Sequence, residues 1–295
     1  MGGGGGWDYD YAENALKKSS KEYAEEAKKE GVVRSYGGTT QKGLPPPVGR
    51  SVATDSPTPL VVAVDVTGSM GEWPKIIFEK LPVLYNEAKL HLPDVAISFS
   101  AIGDANIDAY PLQVCDFKKG KPLEADINGL CPEGGGGGGI KESYELCAYF
   151  YARHCATPRS KRALFVFCGD EGFYERIKVG TLKKMVGDTV ARDVDSFDAF
   201  RDLRKSFETY MLRVPYTADA EKDQFIHDQW VRALGAQNVL RMEDPKRIVD
   251  CIIGLAAILA EEGDSFSQRL AIRQTAEQVQ QVMRTLHPAL TRTRS

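Results

Sequence analysis

From Leu60 onward, short apolar runs alternate with longer segments whose apolar positions recur at helical spacing. Leu60-Val61-Val62-Ala63-Val64 and Ala163-Leu164-Phe165-Val166-Phe167 are unbroken apolar runs, the pattern of strands covered on both faces. Further strands are predicted around Val95 to Ile102, near Tyr210 to Val214 and at Val239-Leu240, with an edge strand around Tyr110 to Phe117. Helices are predicted from Trp73 to Leu90, bent or broken at Pro82, from about Lys141 to His154, from Ala220 to Leu234 and from Pro245 to Glu261. Polar helical stretches lie between the second apolar run and Glu208. Strands alternating with helices imply an α/β fold: an open, mostly parallel, doubly wound sheet flanked by helices. In such sheets ligands bind outside the carboxyl ends of the strands.

The two ends of the chain read differently. Gly2 to Gly6 precede a charged stretch from Trp7 to Glu30 in which Tyr11, Leu16 and Tyr23 are the only sizeable apolar side chains after the tryptophan. That is too thin a face to hold a helix against a core. Gly37-Gly38, Pro45-Pro46-Pro47, Pro57 and Pro59 then give linker composition, so residues 1–59 are expected to be a flexible arm and linker and 60–262 the folded domain. Residues 263–295 are expected to form a helical extension, with Ile272, Ala276, Val279, Met283 and Leu286 as an apolar seam that packs on its own domain or on a partner helix.

Composition supports a packed domain, with 42% hydrophobic and 27% charged residues. The net charge of −3 offers no basic excess for a phosphate backbone, which argues against a nucleic-acid partner. No secretory signal is evident at Met1 to Gly6, and the longest apolar run, Cys251 to Ala260, falls short of the roughly 20 residues that cross a bilayer. The six cysteines show no C-x-x-C pair and read as small buried hydrophobes in a reducing cytoplasm.

The candidate chemistry begins where the first apolar run ends. Asp65-Val66-Thr67-Gly68-Ser69-Met70 places three oxygen-bearing side chains at alternate positions in a strand-to-helix loop. A hard cation such as Mg²⁺ accepts such ligands together with water, and the same residues equally suit a capped turn. The second run ends in Cys168-Gly169-Asp170-Glu171-Gly172, which brings an acidic pair to the same edge. Between the two lie Glu133, the glycines 134–139 and then Ile140-Lys141-Glu142-Ser143, opening a helix. Glycines before a helix N-terminus let backbone approach a ligand closely.

D-x-T-x-S, a glycine-rich loop before a helix and a later strand ending in Asp together resemble the metal-ion-dependent adhesion site of von Willebrand factor type A domains, over Leu60 to Glu262. The resemblance implies a Rossmann-like sheet and a divalent cation, foremost Mg²⁺ with Mn²⁺ or Ca²⁺ as alternatives. Thr67 and Ser69 would touch the metal, Asp65 would sit in its inner or outer shell, and Asp170 would be the later aspartate. The family's middle-loop threonine has no counterpart here, since Gly137 or Gly138 stands in its place. Glu142, Ser143 or a water is left to fill the position, and Glu142 equally suits the first turn of a helix. The implied function is non-enzymatic: binding another protein, through an acidic residue of the partner that completes the metal shell. Cytoplasmic bacterial members of the family are often linked to MoxR-type ATPases, which makes such an ATPase a candidate partner.

An enzyme alternative shares the first motif. Asp65-x-Thr67-Gly68-Ser69 also resembles the phosphorylation motif of haloacid-dehalogenase-like phosphatases, with Asp65 as nucleophile beside Mg²⁺. Against it, no G-D-x-x-x-D follows the later strand. Thr67 breaks a nucleophile elbow, and Ile140 and Glu142 break a phosphate-binding P-loop.

Overall fold

The computed structural model describes residues 43–68, 70, 73–133, 139–216 and 219–291. The expectations for residues 1–42, Ser69, Gly137 and Gly138 lie outside the described residues.

The chain forms a mixed α/β fold around a 6-stranded, mostly parallel sheet. Its strands are β1 (Leu60–Asp65), β2 (Ile97–Ile102), β3 (Leu112–Val114), β4 (Leu164–Gly169), β5 (Glu208–Arg213) and β6 (Val239–Arg241). They lie side by side in the order β6-β5-β4-β1-β2-β3, and β3 alone runs antiparallel to its neighbour. β1 is central because both its faces are apolar. Leu60, Val62 and Val64 enter one core, and Val61 and Ala63 enter the other. From β1 the chain builds outward to β2 and β3 on one side, then returns to lay β4 on the other. The order therefore reverses between β1 and β4, and a crevice opens beyond their carboxyl ends.

The helices are α1 (Trp73–Glu79), α2 (Leu81–His91), α3 (Pro122–Gly129), α4 (Tyr144–His154), α5 (Val179–Met185), α6 (Ser196–Leu203), α7 (Ala220–Leu234), α8 (Ile248–Leu259), α9 (Gly263–Arg273) and α10 (Ala276–Leu290). α2 and α8 cover one face of the sheet, and α4, α6 and α7 cover the other. The helix expected over Trp73 to Leu90 is interrupted at Lys80, so that Pro82 falls in the first turn of α2, where its missing N–H costs nothing. Two helices form where the seam suggested one extension. Thr275 ends the first excursion because its side chain accepts from the Gln278 amide while the Gln278 side chain accepts from the Thr275 amide, a capping box that starts α10.

The C-terminal helices pack on the domain itself. Phe266, Leu270, Val282, Leu286 and Ala289 join the core beside α8, while Ile272 is 62% exposed. Gly254 of α8 admits this contact, since a Cβ there would meet Leu286 and Phe266. Buried Glu87 of α2 pairs with Arg269 and Arg273 of α9, and His91 pairs with Glu262. Residues 43–59, expected as linker, also lie against the domain. Val52–Ala53 pairs in parallel with Cys155–Ala156, the Gly49 amide donates to Val186, and the Ser56 and Thr58 hydroxyls donate to Asp94 and Pro93 carbonyls.

This packing separates two positions of the sequence seam. Leu286→Ala, at a fully buried site, is expected to lower stability to urea by about 2–5 kcal/mol, whereas Ile272→Ala should change it by less than about 0.5 kcal/mol. Equal effects would contradict the docking of α10.

Candidate functional site

The crevice between β1 and β4 is lined with carboxyl and hydroxyl groups. Asp65, the last residue of β1, is fully buried. Its Oδ1 accepts from the Thr67 amide at 2.8 Å and the Thr67 hydroxyl at 2.7 Å. Its Oδ2 accepts from the Tyr144 hydroxyl at 2.9 Å. The first interaction folds the loop after β1 back on itself as an Asx turn, with Gly68 at φ 47° just beyond it. The second ties that loop to the start of α4. Tyr144 reaches it because Gly169, at the end of β4, carries no side chain: a Cβ there would occupy the position of the Tyr144 hydroxyl. Edge contacts with Phe167 and Trp230 hold the tyrosine ring.

Glu142 enters from the opposite lip. Lys141–Glu142 pairs in parallel with Gly172–Phe173, which joins the chain before α4 to the loop after β4. Glu142 therefore serves the crevice and not the first turn of a helix: Thr67 Oγ1 lies 3.1 Å from its Oε1. Its Oε2 is buried and has no hydrogen-bond partner. Ser143 points away, since its Oγ accepts from the Ala105 amide at 2.9 Å. On the β2 side, the Glu133 amide donates to the Val66 carbonyl, and Glu133 Oε1 accepts from the Tyr110 amide. Asp104 accepts from the Tyr174 hydroxyl at 2.8 Å. Beyond β4, the Trp230 indole N–H donates to the Glu171 carbonyl and fixes the loop that carries Asp170 and Glu171.

These acids crowd one another out of water. Burial, reinforced by Asp170, pushes the Asp65 carboxyl up to about 7 despite its bonds from Thr67 and Tyr144. Burial and then Asp65, Glu171 and Asp108 push Glu142 up to about 10. Glu171 rises to about 8 through burial and then Asp65, Asp170 and Asp104. No three His, Cys, Asp or Glu side chains among the described residues converge as a complete metal-ligand group. What the crevice offers is a hydroxyl and a carboxyl group with an unused buried oxygen, among acids that oppose one another's ionisation.

Of the residues singled out in the sequence, Asp65, Thr67 and Glu142 are therefore in direct contact, and Asp170 acts on Asp65 through its charge. Tyr144, Gly169, Asp104 and Tyr174 belong to the same crevice and had no motif to mark them.

No protein-family model and no curated protein matches the chain. Among solved structures, the pilus adhesin SpaC from Lactobacillus rhamnosus GG in its open conformation is similar at 9% identity and a TM-score of 0.49, over 72% of this chain and 31% of that one. A second crystal structure of SpaC gives 10% identity, a TM-score of 0.47, and 72% and 32% coverage. Proximal thread matrix protein 1 from the mussel byssus gives 9% identity, a TM-score of 0.45, and 70% and 48% coverage. The chain thus spans less than half the length of each of these structures.

The raised acids set a direction for stability against pH in chelator. Unfolded, Asp65 ionises near 3.8 and Glu171 near 4.5, as does Glu145, which burial in the first turn of α4 raises in the same way; folded, the three ionise near 7, 8 and 8. Between those limits the folded state holds protons that the unfolded state has lost, so stability present below the lower values is lost as pH rises through the upper ones. Thermal unfolding in chelator should show Tm falling from about pH 5 to about pH 8. A Tm that rises across that range would contradict the burial of these groups.

Proposed function

We propose that the chain is a protein-binding module of the von Willebrand factor type A kind, in which a divalent cation at the switch point serves recognition and not covalent chemistry. The observation that carries this reading is Glu142. Its buried, unpartnered Oε2 lies among other carboxyl groups, and its Oε1 is 3.1 Å from the Thr67 hydroxyl. A buried acceptor without a donor is costly, and a cation removes that cost.

The residues present fit such an ion. The Thr67 hydroxyl and Glu142 would be its ligands, and Glu142 would take the place of the family's middle-loop threonine. Asp65, engaged at both oxygens by Thr67 and Tyr144, would stand behind Thr67 and orient it. Asp170 would add negative charge from the other lip, and Ser69 would supply the second hydroxyl that the motif implies. With so few protein ligands the cation keeps waters, which suits Mg²⁺ or Mn²⁺ better than Ca²⁺. When bound, it would supply a fixed positive charge and exchangeable coordination positions. Asp65 also suits a holding role better than a nucleophilic one, because attack on phosphorus needs a carboxylate oxygen that is accessible and free of competing donors.

Calorimetric titration with Mn²⁺ tests the assignment. The wild type should bind, and Glu142→Ala and Asp170→Asn should each weaken binding by about tenfold or more with the fold retained by circular dichroism. Unchanged affinity in both variants would remove these residues from the site. Incubation with p-nitrophenyl phosphate and Mg²⁺ should give no turnover, and a phosphorylated Asp65 found by mass spectrometry would replace the binding module with a phosphotransferase.

A further inference from the structure

The end of the sheet opposite the crevice carries an open groove of 1420 Å³. One lip is formed by the segment that enters β4 together with the turn between α6 and β5, and the other by the turn between α8 and α9. A site for a small molecule holds roughly 300–1,000 Å³ and encloses most of its ligand, so the size and openness of this groove suit a length of polypeptide. Lys161, Arg162 and Arg204 stand exposed along the first lip. The Lys161 and Arg162 amides both donate to the Pro57 carbonyl, at 2.7 and 3.1 Å, so the docked 43–59 segment fixes the backbone that presents these cations. The Arg204 amide is held in turn by the Phe200 carbonyl at the end of α6. Phe207 and Leu290 line the base, and Leu290 is 39% exposed. On the far lip the Glu262 carboxylate is taken up by His91 at 2.6 Å, and Asp264 is exposed.

We propose that this groove docks a segment of a partner protein that carries apolar side chains and, along one flank, acidic ones. Carboxylates of that segment meet Lys161, Arg162 and Arg204, and its apolar side chains cover Leu290. Because the first lip is already fixed by its backbone hydrogen bonds, little ordering is left to be done on binding. Asp264 repels a segment that is acidic on both flanks, which makes the far lip a source of selectivity. The groove lies at the other end of the sheet from Thr67 and Glu142. It therefore needs no cation, stands independently of the metal-dependent reading, and gives the domain a second face for a second partner.

Fluorescence anisotropy on the full chain in chelator tests this with two labelled peptides of equal length, one repeating Leu-Glu-Gly and the other Leu-Lys-Gly. The wild type should bind the glutamate peptide at least about tenfold more tightly than the lysine peptide. Arg162→Glu and Leu290→Ser should each weaken glutamate-peptide binding by at least about fivefold, while Lys183→Glu, the same charge change on the exposed side of α5, should leave it unaltered. Carbodiimide cross-linking read by mass spectrometry should join Lys161 to a carboxylate of the bound peptide. Equal affinity for the two peptides, or equal weakening by Lys183→Glu and Arg162→Glu, overturns the proposal. So does a Lys161 cross-link that persists, under saturating peptide, to an acid within residues 1–42 or to a second copy of the chain, since either result assigns the groove to the protein itself.

Discussion

The Asp65 carboxylate, buried at the end of the central strand and held on both oxygens, is the constraint on which the crevice depends. One oxygen shapes the loop after β1 through Thr67, and the other secures the start of α4 through Tyr144. Because Tyr144 occupies the space above Gly169, the same contact fixes how closely α4 approaches the end of β4. Three segments that are distant in sequence thus meet at one carboxylate. Removing water from that carboxylate is costly, and the hydrogen bonds from Thr67 and Tyr144 offset part of the cost. The remainder appears as the raised Asp65 pKa, whose first cause is burial and whose second is the charge of Asp170.

The sheet order explains why this happens between β1 and β4 and not elsewhere. Neighbouring strands whose connections leave in opposite directions cannot close the space beyond their carboxyl ends, so loops from both sides line it. The Lys141–Glu142 pairing with Gly172–Phe173 then brings a glutamate from the helix-leading segment across the gap. Trp230 and Gln229 of α7 brace the far lip through the Glu171 carbonyl and the Phe173 backbone. Thr67 therefore sits on a loop and Glu142 on a short paired strand, while Tyr144, Gln229 and Trp230, which brace this edge, sit on helices.

Much of this was legible in the sequence where a pattern is local. The two unbroken apolar runs mark β1 and β4, and their polar ends place Asp65 and Asp170 at one edge. The Ala220 to Leu234 helix has the observed bounds because Asp219 caps its first turn and Gly235 follows its last. Tyr144 was not legible, since its hydroxyl acquires a partner 79 residues away only when α4 packs. Glu142 could be read as a helix-turn acid until its pairing with Phe173 turned it toward Thr67. The proline-rich stretch 43–59 has linker composition, yet its backbone and hydroxyls find partners on the domain, which composition alone does not reveal. The break before α10 carried a signal in Thr275 and Gln278, overridden by an apolar seam that continued across it.

A cation beside Thr67 and Glu142 is what distinguishes the proposed binding module from an acidic loop cluster with no ligand. Crystals grown with Mn²⁺ and measured at its absorption edge would locate the ion directly. An anomalous peak within about 2.2 Å of both Thr67 Oγ1 and a Glu142 carboxylate oxygen, with Asp65 still bonded to Tyr144, is the expected result. A protein saturated with Mn²⁺ that shows no peak in the crevice between β1 and β4, or one that places the ion elsewhere on the fold, would contradict it.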